Sequence, residues 1–203
     1  MALADGYALQ HPELTPEHRL QLCESLVGQS YHEEVMLGQA LIRKLVQRHF
    51  DENLLDRFKY WLEHHHSNWA QCDDLCMKVI YQYFLGRPHL ITTLDSWLQS
   101  PSPWCRRAAN VAVLKFIHRK IGKNIYRLPL THVFHNSTTL LADPDIYVQK
   151  SVGWLLKAAA DHHRAEVVSF LEAHISQLQR GTLRYAIEKM EPSLREAILS
   201  IKT

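Results

Sequence analysis

Residues 103–119, PWCRRAANVAVLKFIHR, decide the fold class, because on a helix their apolar side chains cover more than half of the circumference. The apolar positions include Ala108, Val111, Ala112, Val113, Phe116 and Ile117. A helix with so wide an apolar surface packs against neighbours on two sides. A row of helix pairs, each covered by the next, has this property, and units of about 35–45 residues fit HEAT-like repeats.

The rest of the chain also has a helical pattern. Apolar residues recur at helical spacing almost from end to end, strand-like alternation is scarce, and only 7 Gly occur. Thr15-Pro16, the capping box from Ser30 to Glu33, and Ser67/Asn68 predict helix starts. Further helices are predicted from Asp51 and near 89–99, 103–120, 125–140, 144–161, 164–176 and 181–201, the last interrupted at Pro192. The sequence therefore predicts an all-α fold of antiparallel helix pairs stacked as a HEAT-like α-solenoid, with a globular helix bundle as the alternative.

Length and composition limit the class of protein. The 203 residues, 46% hydrophobic and 22% charged, fit one compact domain or one short repeat array over residues 1–203 and exclude a disordered tail. No window approaches 18 consecutive apolar residues, and the N-terminus has no basic segment followed by an apolar one. Cysteines at 23, 72, 76 and 105 form no CxxC pair and are interpreted as small apolar residues. We therefore expect a cytoplasmic protein without membrane contact.

Charge is distributed unevenly along the chain. Residues 1–100 carry 8 Lys/Arg and 13 Asp/Glu, whereas residues 101–203 carry 15 and 8. From Trp104 to Arg127 there are seven basic residues and no acidic one. Such a run either binds phosphates or forms a solvated face.

The first segment with chemical potential opens a helix at Trp69. Residues four apart on a helix differ by about 40° around the axis, so Asp73 shares a face with Trp69 and Asp74 does not. An indole and a carboxylate would then point the same way. The alternative is that Asp73 only complements the helix dipole while Trp69 lies in the core.

Two further segments combine cations with small or aromatic residues. Arg106 and Arg107 precede two alanines near a helix start, which suits close approach of a phosphate to a guanidinium fork. Spacing alone does not choose between the two arginines or exclude a plain surface pair. Trp154 has Lys150 one turn before it and Lys157 one turn after it, an arrangement that fits contact with a sugar or base as well as a core tryptophan.

These three segments, in their order along the chain, resemble segments of the DNA alkylation repair family of AlkD-like HEAT-repeat DNA glycosylases. The resemblance rests on Trp-x-x-x-Asp at 69–73, Trp-x-x-Arg-Ala-Ala at 104–109 and Val-Gln-Lys-Ser-Val-Gly-Trp at 148–154, and covers about residues 30–200. It favours Arg107 over Arg106. It implies a concave, basic groove that binds duplex DNA with alkylated bases.

The resemblance also implies individual roles. Catalytic roles fall to Trp69, Asp73 and Trp154, and DNA contacts to Arg107, Arg106, Lys150 and Lys157. Two departures from the family pattern bear on these roles. Lys157 stands where the family commonly has an arginine, so the fork-like donors are missing. The chain before Ser30 is short, which leaves less N-terminal helical cap over the groove.

Two functions follow as hypotheses. The first is a glycosylase that hydrolyses the N-glycosidic bond of cationic alkylpurines such as 3-methyladenine and 7-methylguanine. The second is a non-catalytic helical-repeat module that binds DNA or a protein partner. We expect a monomer that needs no cofactor and no metal: the chain has no Gly-rich phosphate loop, nucleophile elbow or HExxH, and His64-His65-His66 lacks the spacing of a helical zinc site.

Overall fold

The computed structural model describes residues 2–201, and their backbone is mostly helical, which confirms the all-α prediction. The helices are α1 Ala2–Gln10, α2 Pro16–Val27, α3 His32–Ile42, α4 Leu54–His64, α5 Trp69–Asp74, α6 Tyr81–Gly86, α7 Asp95–Leu98, α8 Pro103–Val111, α9 Leu130–Thr139, α10 Ile146–Ala160, α11 Arg164–Ala173, α12 Arg180–Ala186 and α13 Pro192–Ser200. A π-helical segment, Leu75–Ile80, joins α5 to α6, and 3₁₀ turns occupy Pro88–Leu90 and Leu114–Phe116. The two strands are β1 Arg119–Ile121 and β2 Asn124–Tyr126. None of these helices is long and apolar enough to cross a membrane.

The chain divides into two compact units, the first ending at Ala108 and the second beginning at Ala109. In the first unit, α2 and α3 pack closely because Gly38 has no side chain. A Cβ at Gly38 would lie 2.8 Å from the carbonyl oxygen of Cys23. Behind them, Phe58 of α4 lies edge-on to Trp61 and to Tyr83 of α6, and these three rings are buried. This aromatic contact fixes α4 against the helix that begins at Trp69.

In the second unit, α10 is the central helix and packs against α9, α11 and α12. Its start is capped by Asp145, whose Oδ1 accepts hydrogen bonds from the backbone N–H groups of Tyr147 (2.7 Å) and Val148 (3.1 Å). Inside the helix, the buried Gln149 side chain donates to the carbonyl oxygens that end the preceding segment. These buried hydrogen bonds hold residues 140–143, which lead into α10, against the helix.

Gly153 lies where α10 and α12 approach each other so closely that little room is left for a side chain. A Cβ there would lie 3.0 Å from the carbonyl oxygen of Thr182 and 3.1 Å from the Cβ of Tyr185, both on α12. Gly153→Ala is therefore expected to lower the free energy of unfolding by about 1 kcal/mol, since overpacking exceeds the helix-propensity gain. Thermal unfolding followed by circular dichroism measures the change.

Gly181 gives the matched control, because it lies in the first turn of α12 and nothing stands within 4 Å of the Cβ position. Gly181→Ala is expected to raise the unfolding temperature slightly, through lower entropy of the unfolded chain. An unfolding temperature of Gly153→Ala at or above that of the unmodified protein would contradict the packing role.

The helix predicted near 89–99 is only a 3₁₀ turn at Pro88–Leu90 followed by the four-residue helix α7. Two further local predictions are wrong. The first is the capping box: α3 is capped at Tyr31, one residue after Ser30, and no side chain accepts a cap hydrogen bond. Packing of α3 on α2 outweighs the local signal. By contrast, Thr15 and Asn68 cap α2 and α5 through their side chains, as predicted, and Pro192 opens a separate last helix.

The second is the long helix at 103–120. It ends at Val111, and the chain then forms a 3₁₀ turn and the hairpin of β1 and β2, so the helix predicted from 125 begins only at Leu130. Phe116 and Ile117, which widened the apolar stripe, are buried nevertheless. The apolar stripe therefore indicates burial and not a continuous helix. Gly122, at φ +60°, permits the turn that follows β1.

Candidate active site

The site is built on α5, whose start is fixed by its cap. Oδ1 of Asn68 accepts hydrogen bonds from the backbone N–H groups of Ala70 (3.0 Å) and Gln71 (3.1 Å). Trp69 is the first residue of the helix, and its side chain is 50% exposed. The indole is therefore a surface group and not a core residue, which excludes the alternative that placed it in the core.

A buried polar network holds the segment before α5. Gln39 Nε2 on α3 donates to His66 Nε2 (2.7 Å), and His66 Nδ1 donates to the carbonyl oxygen of Trp61 (2.9 Å). Burial lowers the pKa of His66 to about 4, so the ring is neutral near pH 7. The sequence pattern, by contrast, only excludes His64-His65-His66 as a helical zinc site and predicts no structural role for His66. Its position two residues before the Asn68 cap is the signal in the sequence that could have identified a structural role.

The helix changes geometry immediately after Asp74. The π-helical segment Leu75–Ile80 begins there, and such segments are frequent at functional sites. Asp74 is ion-paired with Lys78, and its side chain is only 8% exposed. Asp73 has a different partner, so the two adjacent carboxylates serve two different neighbours, in agreement with the prediction that they lie on different faces.

Asp73 is paired with Arg107 through two parallel hydrogen bonds. Arg107 Nε donates to Oδ1 and Nη2 donates to Oδ2, both at 2.8 Å. The side chains are 6% exposed for Arg107 and 16% exposed for Asp73. Burial works to lower the pKa of Arg107, but the hydrogen bond and charge of Asp73 outweigh it and raise the pKa. The two side chains thus form a bidentate ion pair, whose geometry fixes the orientation of the carboxylate.

Arg107 is the fifth residue of α8, and the start of this helix is held beside α5. Cys72 Sγ donates to the carbonyl oxygen of Trp104 at 3.3 Å, which links α5 to the start of α8. Arg106 points elsewhere, since its Nη1 donates to the carbonyl oxygens of Ser100 (2.8 Å) and Pro101 (3.0 Å). The structure therefore separates the two arginines that spacing could not. Their contacts with DNA stay predictions.

Cys76 and Cys105 do not offer a nucleophile near this pair. Burial raises the pKa of the Cys76 thiol well above its usual value, and it raises the pKa of Cys105 to about 12. All four cysteines are buried thiols without a disulfide, as the sequence predicts for small apolar residues. Within residues 2–201, no three His, Cys, Asp or Glu side chains lie together as a metal site would require.

The remaining predicted residues lie on α10 in the second unit. Trp154 is half-buried, and Lys150 is exposed with its Nζ 5.3 Å from the Tyr147 ring centroid. Lys157 is engaged within the protein: its Nζ lies 2.8 Å from Glu188 Oε2 and 3.7 Å from the ring centroid of Tyr185. The meeting of Trp154 with Trp69 and Asp73 at one site stays a prediction.

Comparison with known proteins adds the family. A family model described as DNA alkylation repair enzyme matches residues 2–190. A solved structure described as a predicted DNA alkylation repair enzyme from Enterococcus faecalis has a similar fold, with a TM-score of 0.78 and 15% sequence identity over 94% of this chain and 84% of that chain. No protein with a curated description matches the sequence. The match over nearly the whole length places this chain in the DNA alkylation repair enzyme family.

Proposed function

We propose that this protein is a DNA glycosylase that hydrolyses the N-glycosidic bond of cationic alkylpurines, such as 3-methyladenine and 7-methylguanine, in duplex DNA as a step of base-excision repair. The observation that carries the proposal is the Asp73 carboxylate, held in plane by Arg107 one helical turn from the half-exposed Trp69. Family membership supports a role in the repair of alkylation damage.

The chemistry needs little from the protein beyond electrostatics. Alkylation at N3 or N7 gives the purine a positive charge, so the base leaves with the bonding electrons as a neutral molecule and no general acid is required. Positive charge then develops on the deoxyribose at C1′. Water adds there and releases one proton to solvent, which leaves a hydroxyl group on C1′. A fixed negative group at that position lowers the barrier, and such pre-organised groups contribute a factor of about 10²–10³ in rate.

Asp73 can fill this role although it is paired. A carboxylate has about four lone-pair positions, of which Arg107 takes two, so positions remain to orient a water molecule. The pair as a whole is neutral. Its field is therefore that of a dipole, and it would act on the sugar only at contact distance, with Asp73 as the negative end.

Trp69 would hold the developing sugar cation against its ring face. Trp69→Leu is expected to reduce the rate of base release about 2- to 30-fold, the range that corresponds to a cation–π contribution of about 0.5–2 kcal/mol. Trp69→Phe, which keeps a weaker aromatic face, is expected to lie between Leu and Trp. Single-turnover release of 7-methylguanine measures all three. Equal rates for Phe and Leu would contradict a role for the aromatic face.

DNA contacts would come from cations outside the Asp73 pair. Lys150 is exposed and suited to a phosphate, whereas Lys157 and Arg106 would have to exchange their present partners to reach one. Phosphate contacts of this kind set register without reading sequence. We propose that the protein acts as a monomer in the cytoplasm, where a reducing compartment suits its four buried thiols.

Two observations favour the second candidate, a DNA-binding module without catalysis. Arg107 contacts both oxygens of Asp73, and Lys157 is occupied by Glu188. Incubating the protein with methylated duplex DNA and quantifying free 3-methyladenine and 7-methylguanine decides between the two. Release above that from unmodified duplex supports the glycosylase, whereas salt-dependent binding without release supports the module.

A further inference from the structure

The second unit carries a basic hairpin that the sequence did not predict. β1 and β2 pair antiparallel, with Lys120 opposite Ile125 and Ile121 opposite Asn124. Gly122 has a φ of +60°, and no non-glycine residue of the hairpin has a positive φ. A single positive φ at the first central position is typical of a type II′ turn, which matches the twist of the strands. The hairpin is therefore a well-formed two-stranded ribbon.

The base of the hairpin is anchored in the second unit. The Tyr126 ring lies edge-on to the buried Phe116 ring, with centroids 6.1 Å apart. The backbone N–H of Leu128 donates to the carbonyl oxygen of Phe116 at 3.0 Å. An isolated two-stranded hairpin is marginal in water, so this anchoring lets residues 119–126 keep their shape while their outer side chains stay in solvent.

Three cations of this hairpin differ from several other exposed cations of the protein in having no ion-pair partner among the residues that the structure describes. Lys44, Arg57, Arg164 and Lys189 each pair with a carboxylate. Lys120, Lys123 and Arg127 are exposed, and within residues 2–201 no carboxylate forms an ion pair with any of them. The sequence explains why, since no Asp or Glu occurs from residue 96 to residue 142. The positive charge is not compensated locally.

From this arrangement we infer that the basic hairpin, residues 119–127, is a second DNA contact, which binds backbone phosphates of the duplex. The inference rests on the proposed function for its choice of partner. A two-stranded ribbon has the width that a DNA groove admits, and uncompensated lysines and arginine suit a polyanion. Ile125, 48% exposed, is a single apolar side chain and too little to hold a membrane surface.

The test is the salt dependence of binding to unmodified duplex DNA. The variant Lys120→Gln/Lys123→Gln/Arg127→Gln is expected to reduce the slope of log Kobs against log salt concentration by about 2.7, or about 0.9 for each lost phosphate contact. Affinity at low salt is expected to fall about 10²-fold. Fluorescence anisotropy across a salt series gives both values.

A matched variant separates local contact from net charge. Lys44→Gln/Arg57→Gln/Lys189→Gln lowers the formal net charge of +2 by the same three units, but removes cations that are already paired. It is expected to change the slope by less than about 1, since no phosphate contact is lost. Lys120→Arg/Lys123→Arg/Arg127→Lys, which keeps the charges, is expected to bind like the unmodified protein.

Three results would overturn the inference. These are equal slopes for the two neutralised variants, loss of binding in the charge-keeping variant, and competition by anionic lipid vesicles as strong as that by DNA. The outcome is separable from that of the proposed function. Expected slopes in a protein that releases no methylated base would support the hairpin contact and reject the glycosylase.

Discussion

Asp73→Asn is expected to lower the rate of methylated-base release by about 10²–10³-fold while duplex DNA is still bound. The amide has nearly the size of the carboxylate but can accept only one of the two hydrogen bonds from Arg107, and it leaves the buried guanidinium without a counter-charge. A loss of stability therefore accompanies the substitution, and the rate is compared under conditions in which the variant is folded. What it loses is the negative charge opposite the developing sugar cation. Single-turnover release of 7-methylguanine at saturating protein measures this loss without interference from binding.

Asp74 gives the matched control, because it is the adjacent residue and also a paired carboxylate, with Lys78 as its partner. Asp74→Asn removes the same charge one position away and is expected to release base at the rate of the unmodified protein. Circular dichroism establishes that both variants are folded. Undiminished release from Asp73→Asn, or an equal loss in Asp74→Asn, would reject the catalytic role of Asp73.

Arg107→Met is expected to lower the free energy of unfolding by about 3 kcal/mol, because it leaves the mostly buried Asp73 carboxylate without its partner. For a chain of this length the unfolding temperature should fall by roughly 6–12 °C. Base release should fall as well, since the carboxylate is no longer held in one orientation. Arg107→Lys keeps the charge but not the planar fork, so it should lie between the two.

A double-mutant cycle isolates the pair. Asp73→Asn/Arg107→Met contains no unpaired charge at this site and is expected to be more stable than Arg107→Met alone. This cycle also tests the phosphate role that the family resemblance gives to Arg107. If Arg107→Met keeps its stability and its rate of release but binds DNA more weakly, Arg107 is a phosphate anchor and not the residue that positions Asp73.

Local patterns in the sequence predicted the site helix correctly. Asn68 is a cap by residue type and position, and helical spacing placed Trp69 and Asp73 on one face. These are short-range signals, which depend on neighbours within one turn. The π-helical segment after Asp74 has no comparable signal, because its geometry depends on packing rather than on residue type.

The sequence pattern did not predict which side chains far apart in the chain pair with each other. Arg107 meets Asp73 across 34 positions of chain, and nothing in the spacing of Arg106 and Arg107 indicated which one would do so. The hairpin was missed for a different reason: Phe116 and Ile117 fitted a helical stripe, and the two-residue turn at Gly122 was not recognised. The sequence predicts correctly that Phe116 and Ile117 are buried, but it predicts a helix where the backbone forms a 3₁₀ turn and a hairpin.

The buried thiols have a consequence for a protein that repairs alkylated DNA. Methylating agents attack soft nucleophiles, and the thiolate is the reactive form of cysteine. Burial raises the pKa of Cys23, Cys76 and Cys105 and excludes water from all four sulfur atoms. In the folded protein, all four thiols are therefore shielded from such reagents.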